Sequence, residues 1–329
     1  MSILRLIKII GKMKILITGG AGFIGSNYIE YLFNIRKGYD IVVVDKLNYA
    51  SNIHYLDPYM SLKNFKFIKE DISNLEEMDK IFKEEKFDIV LNFAAESSVD
   101  RSFDNESTFF RSNVLGVINL INLSIKYNVS RFHQVSTDEV YGSSLGVAYK
   151  EDSSLNPSNP YSLSKATADN LIVLAMKTKN LKATISRSTN NFGPHQFTDK
   201  LIPRVIKYAL DNKKIPIYGN GNNVRDWLYV KDHCRAIDLI IEKGKIGEIY
   251  NIGGDNYLSN NNLIKEILTK LDKPDKLMEY VKDRPNHDFG YAVDDTKIKT
   301  KLGWKIESNF DDELSKTIDY YVNYFKNNL

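Results

Sequence analysis

The stretch Thr18-Gly19-Gly20-Ala21-Gly22-Phe23-Ile24-Gly25 decides the reading of this chain. It follows a short apolar run, Lys14–Thr18, and opens onto Ile24–Arg36, where apolar residues recur at helical spacing. Gly19, Gly22 and Gly25 stand three apart at that strand-to-helix junction. Glycines there let the backbone turn tightly and admit a pyrophosphate to the N–H groups of the helix start. Alone, the run is also what an ordinary glycine-rich turn looks like. The second apolar run, Ile41–Asp45, adds weight because it ends in a carboxylate twenty residues beyond Gly25. An acid at that place accepts hydrogen bonds from adenosine ribose hydroxyls and repels a 2′-phosphate, which favours NAD over NADP. Asp71, after the third run Phe65–Lys69, is placed either to meet the adenine edge or to serve as a plain loop acid.

Working outward, further apolar runs at Ile89–Phe93, Arg131–Ser136 and Ala183–Arg187 alternate with helical patterns at Leu75–Glu84, Glu106–Tyr127 and Tyr161–Lys177. Strands covered on both faces need no alternation of polarity. Strand then helix, repeated, predicts an α/β fold: a doubly wound parallel sheet of Rossmann type, with ligands at the carboxyl ends of its strands. Past Arg187 the regularity weakens and Asn, Gly and Pro become frequent. We therefore expect residues 1–190 to form the dinucleotide-binding domain and residues 191–329 mainly a smaller C-terminal lobe, with the chain rejoining the sheet at about 226–250. The strand-like Ile249–Ile252 and a helix around Asn262–Leu271 read as parts of that lobe, and Asn260–Asn262 as a turn and cap.

Composition narrows the function classes. The 45 basic and 42 acidic residues of the 329 are interspersed and leave a formal charge of +3, so nothing suggests nucleic acid as a partner. No stretch approaches the roughly 20 apolar residues of a membrane span. Arg5, Lys8, Lys12 and Lys14 break up the N-terminal stretch, which argues against a signal peptide. The lone Cys234 cannot form an internal disulfide and reads as a small buried apolar side chain, as expected in a reducing, cytoplasmic setting. No His, Cys and carboxylate cluster has metal-ligand spacing, so no metal is expected.

Two constellations carry chemistry. Tyr161 and Lys165 are four apart and share a helix face, behind Asn159 and Pro160, which suit an N-cap and first turn. The Lys165 cation, with that of an oxidised nicotinamide, is expected to lower the phenol's pKa, so that Tyr161 accepts a hydroxyl proton while hydride leaves the same carbon. The second is Thr137-Asp138-Glu139, directly after the fifth run. Simple oxidation of a sugar needs no extra carboxylates there. Elimination of water does, since one acid protonates the departing hydroxyl and one base removes a carbon-bound proton.

On these residues the chain resembles the extended, sugar-nucleotide branch of the short-chain dehydrogenase/reductase superfamily. Ser136–Gly142 looks like the signature of the dTDP-glucose 4,6-dehydratases, and Ala94–Ser102, Asn190–Pro194, Asn223–Val230, Tyr250–Gly254 and Asp283–Asp288 continue the likeness. The resemblance implies NAD-dependent oxidation of a nucleoside-diphosphate-glucose at C4, loss of water across C5 and C6, and return of hydride to C6. It implies Thr137, Asp138, Glu139, Tyr161 and Lys165 as catalytic, with Thr137 on the C4 oxygen, Asp138 as acid and Glu139 as base. For the cofactor it implies Gly19, Gly22, Phe23, Ile24, Gly25, Asp45, Lys46, Leu47, Asp71, Ile72, Phe93, Ala94, Ala95, Ser112, Tyr161, Lys165 and Asn191. For the sugar nucleotide it implies Ser97, Thr137, Asn190, Lys200, Leu201, Pro216, Ile217, Tyr218, Arg225, Asn260, Arg284 and His287. Arg225 is the expected diphosphate ligand, with a salt bridge to Asp226 or Asp232 as the rival reading, and His287 is otherwise a polar surface residue.

Ser98, Asn286, Phe289 and Gly290 depart from the family's usual residues, which leaves the base open between thymine and uracil. A UDP-sugar 4-epimerase, a UDP-glucuronate decarboxylase or a non-catalytic NAD-binding homologue are the alternatives. By the same resemblance, helices Glu106–Tyr127 and Tyr161–Lys177 form a homodimer interface through Phe109, Leu120, Leu123, Leu171 and Leu174.

Overall fold

The structure, a computed structural model, describes residues 12–144, 146–283 and 288–327. Six strands, β1 (Met13–Thr18), β2 (Tyr39–Asp45), β3 (Phe65–Lys69), β4 (Ile89–Asn92), β5 (Arg131–Thr137) and β6 (Ala183–Ser188), lie in one parallel sheet with a seventh, Ile249–Ile252. The order is Ile249–Ile252, β6, β5, β4, β1, β2, β3. Strand order reverses at β1, so the crevice beyond its carboxyl end, between β2 and β4, is where a doubly wound sheet takes its ligand.

Neighbouring residues of one strand serve opposite cores. Leu16, Val42, Val44 and Val90 face helices Leu75–Glu85, Gly116–Lys126 and Pro160–Lys179. Ile15, Ile17, Ile41, Val43, Ile89 and Leu91 face helix Phe23–Ile35 and a second helix, Val230–Lys243. This is why the strands are apolar throughout. Cys234, on Val230–Lys243, is fully buried, as expected.

The second lobe is built on a different core. Phe192, Trp227 and Ile217 pack there against helices Leu201–Leu210, Asn260–Lys270 and Phe310–Asn327. Its strands form two small sheets, one of Asn190–Phe192, Val224–Tyr229 and Tyr257–Ser259, the other of Ile215–Tyr218 and Met278–Val281. Ser259 caps the helix that begins at Asn260. Among the described residues no helix is long and apolar enough to cross a membrane.

Three expectations are corrected. Ile249–Ile252 is the edge strand of the main sheet, parallel to β6, and not part of the second lobe. The chain returns with Val230–Lys243, which buries an apolar face on the sheet. Glu106–Tyr127 is not one continuous α-helix, because residues Arg111–Leu115 form a π-turn within it. There the buried Asn113 bonds the backbone of Glu96 through both ends of its amide, at 2.8 and 3.0 Å, and Ser164 Oγ at 2.9 Å. Those partners lie outside the helix, so apolar periodicity does not report them; such bulges concentrate at functional sites. Lastly, Phe109, Leu120 and Leu123 are buried within the protomer at 2%, 0% and 2% exposure and are not available to a partner.

Candidate active site

Gly19 has φ +70°, and a Cβ on it would sit 2.5 Å from the Ala94 nitrogen. A Cβ on Gly25 would lie 2.3 Å from the Gly19 carbonyl oxygen. Only glycine lets the loop fold so tightly against β4 and its own helix. Helix Phe23–Ile35 starts at Gly22, with no side-chain cap and no acid in its first turn, so its leading N–H groups are left to whatever enters the crevice.

A cavity runs from this loop across the sheet. Its walls include Gly19, Gly22, Phe23, Ile24, Gly25, Asp45, Lys46, Asp71, Ile72, Phe93, Ala94, Ala95, Ser112, Tyr161 and Lys165. Of the residues expected around a dinucleotide, Leu47 and Asn191 are not on this wall. Leu47 packs against the core beneath it, and Asn191 lies on the neighbouring cavity. Asp45 is 5% exposed and accepts from Ala21 N at 3.0 Å, Leu47 N at 2.8 Å and Ser51 Oγ at 3.0 Å. It therefore also fastens the glycine loop to the loop after β2. Lys46 spans the crevice, bonding Ser112 Oγ at 2.7 Å and pairing with Glu96 at 2.8 Å. Sequence reading missed Tyr49, Ser51, Glu70, Gln196 and Phe197 on these walls, because they come from loops with no periodic or motif signal.

At the far end of this cavity, helix Pro160–Lys179 starts with a capping box between Asn159 and Ser162, which sets the helix's first turn and thus the direction of Tyr161. Lys165 is buried and donates to the Val135 carbonyl at 2.7 Å. Burial pulls its ammonium down to about 8, against the Asp169 carboxylate. Tyr161 was expected to be lowered by Lys165 acting together with an oxidised nicotinamide. In the chain itself it is raised, by burial and the nearby Glu139 charge, while a hydrogen bond with Thr137 acts the other way. The cation of Lys165 is turned to a backbone carbonyl, so it does not prevail over desolvation.

The two carboxyl groups after β5 stand in different surroundings. Asp138 is 3% exposed, receives Thr137 Oγ1 at 3.1 Å on one oxygen, and has the other buried without a partner among the described residues. Burial and the adjacent Glu139 hold it well above the ordinary aspartate range. Glu139 reaches a second, more polar cavity, where burial raises it while Arg225 and Lys200 oppose the shift. Thr137 accepts from Glu139 N at 3.3 Å, so one hydroxyl bonds the Asp138 carboxyl and the Glu139 backbone.

That second cavity is continuous with the first at Ser97 and Lys200. It holds Ser97, Asn190, Lys200, Leu201, Tyr218, Arg225 and Asn260, as expected, together with the unexpected Arg101, Arg204, Asn159 and Tyr291. Asn190 presents a buried amide oxygen without a partner among the described residues. Arg225 stacks 4.5 Å from the Tyr291 ring and donates to the carbonyls of Val224 and Asp288. Asp226 is taken up by Gly254 N and Asn256 N, and Asp232 pairs with Arg235. Pro216 and Ile217 are not on the cavity wall; Ile217 is 2% exposed in the core of the second lobe, where the alternation of its short strand turns it inward. Ser98, one of the departures, lines the cavity. Arg284, Asn286 and His287 lie outside the described residues.

Known proteins share this fold. A model of the GDP-mannose 4,6 dehydratase family matches residues 16–317. The dTDP-glucose 4,6-dehydratase of Escherichia coli is 40% identical, over 94% of both chains. The dTDP-glucose 4,6-dehydratase of Streptomyces venezuelae, solved with NAD bound, superposes with a TM-score of 0.92 at 37% identity, covering 94% of this chain and 97% of that one. A UDP-glucose 4-epimerase of Thermotoga maritima, 31% identical, reaches 0.88 over 95% of this chain and all of that one. The fold is thus common to dehydratases and epimerases, and the chemistry is written in the side chains. The chain belongs to the GDP-mannose 4,6 dehydratase family, among its dTDP-glucose 4,6-dehydratase relatives.

Proposed function

We propose that the protein is an NAD-dependent nucleoside-diphosphate-glucose 4,6-dehydratase, a hydro-lyase acting on dTDP-glucose or UDP-glucose. The observation that carries this is the pair Asp138 and Glu139, adjacent in sequence yet in different surroundings. An epimerase or a plain oxidoreductase has no use for two such groups. The residues fit NAD: the loop at Gly19 and Gly25 leaves no room for side chains, the helix start is uncapped, and Asp45 closes the crevice where a ribose would lie. Gly19, Gly22, Gly25 and Asp45 would hold the dinucleotide, and its nicotinamide would supply a reversible hydride acceptor for oxidation at C4 and reduction at C6.

The chain's own groups do the rest. Tyr161 takes the C4 hydroxyl proton in its phenolate form, which the added positive charge of a bound nicotinamide would favour against the burial that raises it. Lys165 presents positive charge one turn along the same helix face. Thr137 donates to the developing C4 oxygen. Glu139, beside Arg225 and Lys200, removes the proton from C5, which the new ketone has acidified, and returns a proton to C5 when hydride is delivered to C6. Asp138, kept protonated by burial, gives its proton to the departing C6 hydroxyl. Arg225 and Lys200 hold the diphosphate in the polar cavity. Incubation with dTDP-glucose and UDP-glucose separately, followed by product analysis, tests the reading. A 4-keto-6-deoxy sugar from either supports it, and a C4 epimer or a pentose product overturns it.

Two consequences are measurable. Asp45→Ala is expected to weaken NAD by roughly tenfold or more, because it removes a charged acceptor and also loosens the glycine loop. Calorimetric titration checks this, and a wild type that holds NADP as tightly as NAD contradicts the ribose assignment. The pH profile of kcat should be a bell. Glu139 must be ionised, so activity falls as pH drops through its ionisation, displaced upward from the ordinary glutamate value of 4.5. Asp138 must be protonated, so activity also falls as pH rises through an ionisation far above 3.8. A profile with its acid limb at the ordinary glutamate value would contradict the assignment of the base.

We further propose a cytoplasmic homodimer. Leu163 and Leu174, 46% and 55% exposed, fall on one stripe of helix Pro160–Lys179, and Leu115, 45% exposed, lies on the adjacent π-turn. Light scattering at micromolar concentration should give twice the chain mass, and a Leu163→Glu/Leu174→Glu variant should give a monomer. A monomeric wild type refutes it.

A further inference from the structure

Asp169 lies one helical turn beyond Lys165 and two beyond Tyr161 on helix Pro160–Lys179, so the three share a face. Its carboxylate is fully buried and accepts Arg187 Nε at 2.9 Å. Arg187 comes from β6 and donates through another nitrogen to the Tyr141 hydroxyl at 2.8 Å, with its guanidinium 4.8 Å from that ring's centre. Tyr141 donates onward to Asn251 Oδ1 at 2.8 Å, on the edge strand Ile249–Ile252. It is also the closing residue of the 3₁₀ turn Asp138–Tyr141, which carries both acids. Val140 and Tyr141 pack on Ala166, the residue after Lys165. One buried chain of contacts therefore joins the helix of Tyr161 and Lys165 to the turn of Asp138 and Glu139.

A buried ion pair is a weak source of stability, because desolvating two charges cancels most of their attraction. What a planar guanidinium does supply is direction, since its donors leave at fixed angles. Here those donors span two elements that must act in sequence on one ligand. We propose that Asp169, Arg187 and Tyr141 form a brace that fixes the separation of Tyr161 and Lys165 from Asp138 and Glu139, so that a single bound sugar meets both pairs without moving. The three are positioning residues. The proposal rests on the dehydratase reading, since an enzyme that only oxidised C4 would need no such link. The second Asp169 oxygen is buried without a partner among the described residues, so the brace also brings a negative charge to bear on Lys165.

Tyr141→Phe tests this with the least disturbance, because it deletes one hydroxyl and keeps the ring on Ala166 and over Arg187. We expect kcat to fall roughly tenfold with KM nearly unchanged, as a small misplacement of reacting groups requires. Reduced-nicotinamide absorbance should build up during turnover, since C4 oxidation continues while elimination lags. Amide hydrogen exchange of residues 140–142 in the protein without substrate should quicken, which needs no activity at all. The double variant Asp169→Leu/Arg187→Met replaces the ion pair with an apolar one that can stay folded, and it should show the same build-up. Wild-type kcat in Tyr141→Phe, or unchanged exchange at 140–142, overturns the brace. A wild type that converts neither nucleoside-diphosphate-glucose overturns the functional reading instead, and the exchange measurement still decides whether the turn is braced.

Discussion

Asp138→Asn should lower turnover by on the order of 10²–10⁴-fold, the usual contribution of one general acid, while leaving C4 oxidation intact. The substitution keeps shape and can still accept from Thr137, but an amide has no proton to give a departing hydroxide. Reduced-nicotinamide absorbance should therefore rise on mixing with substrate and persist. The structure makes the loss steep, because Asp138 is 3% exposed and held far above the ordinary aspartate range. Water has little access to replace it. Elimination at the wild-type rate in this variant would show that the proton comes from elsewhere.

Tyr161→Phe should cost a similar factor, on the order of 10²–10⁴, but at the other end of the reaction. Without the phenol oxygen the C4 hydroxyl has no immediate acceptor, so little reduced nicotinamide should form at any stage. The packing should survive, since the Phe109 ring already sits 6.4 Å away, edge to face, and the side chain is 8% exposed. The two variants thus give opposite absorbance traces from comparable losses in rate. Equal traces would mean that the oxidising and eliminating groups are not separable, and the division of roles would fail.

The distance between these predictions and the residues themselves marks how far a linear reading reaches. The glycine loop, Asp45 and the Tyr161–Lys165 pair were legible because each depends on short-range geometry: a turn, a strand end, one helical turn. All the expected strands of the main sheet form within a residue or two of the runs that announced them, since strands buried on both faces are written as unbroken apolar residues. Helix Val230–Lys243 was harder to place. Its fourteen residues are amphipathic like any surface helix, and only contact with Ile15, Ile17 and their neighbours shows which face of which sheet it covers. The walls at Tyr49, Phe197 and Arg204 come from loops and a helix of the second lobe with no motif to declare them.

The sequence by itself determined the parallel sheet, the glycine loop at its crevice and the placing of Thr137, Asp138 and Glu139 at a strand end and of Tyr161 and Lys165 on one helix face, because local pattern suffices for those. Only the tertiary structure decided their electrical condition. Asp138 and Glu139 are neighbours along the chain, yet one is sealed beneath the turn and the other opens on a cavity flanked by Arg225 and Lys200. Burial also lifts Tyr161 and lowers Lys165. Desolvation depends on everything that surrounds a charge, and what surrounds it is assembled from segments that no spacing in the sequence relates.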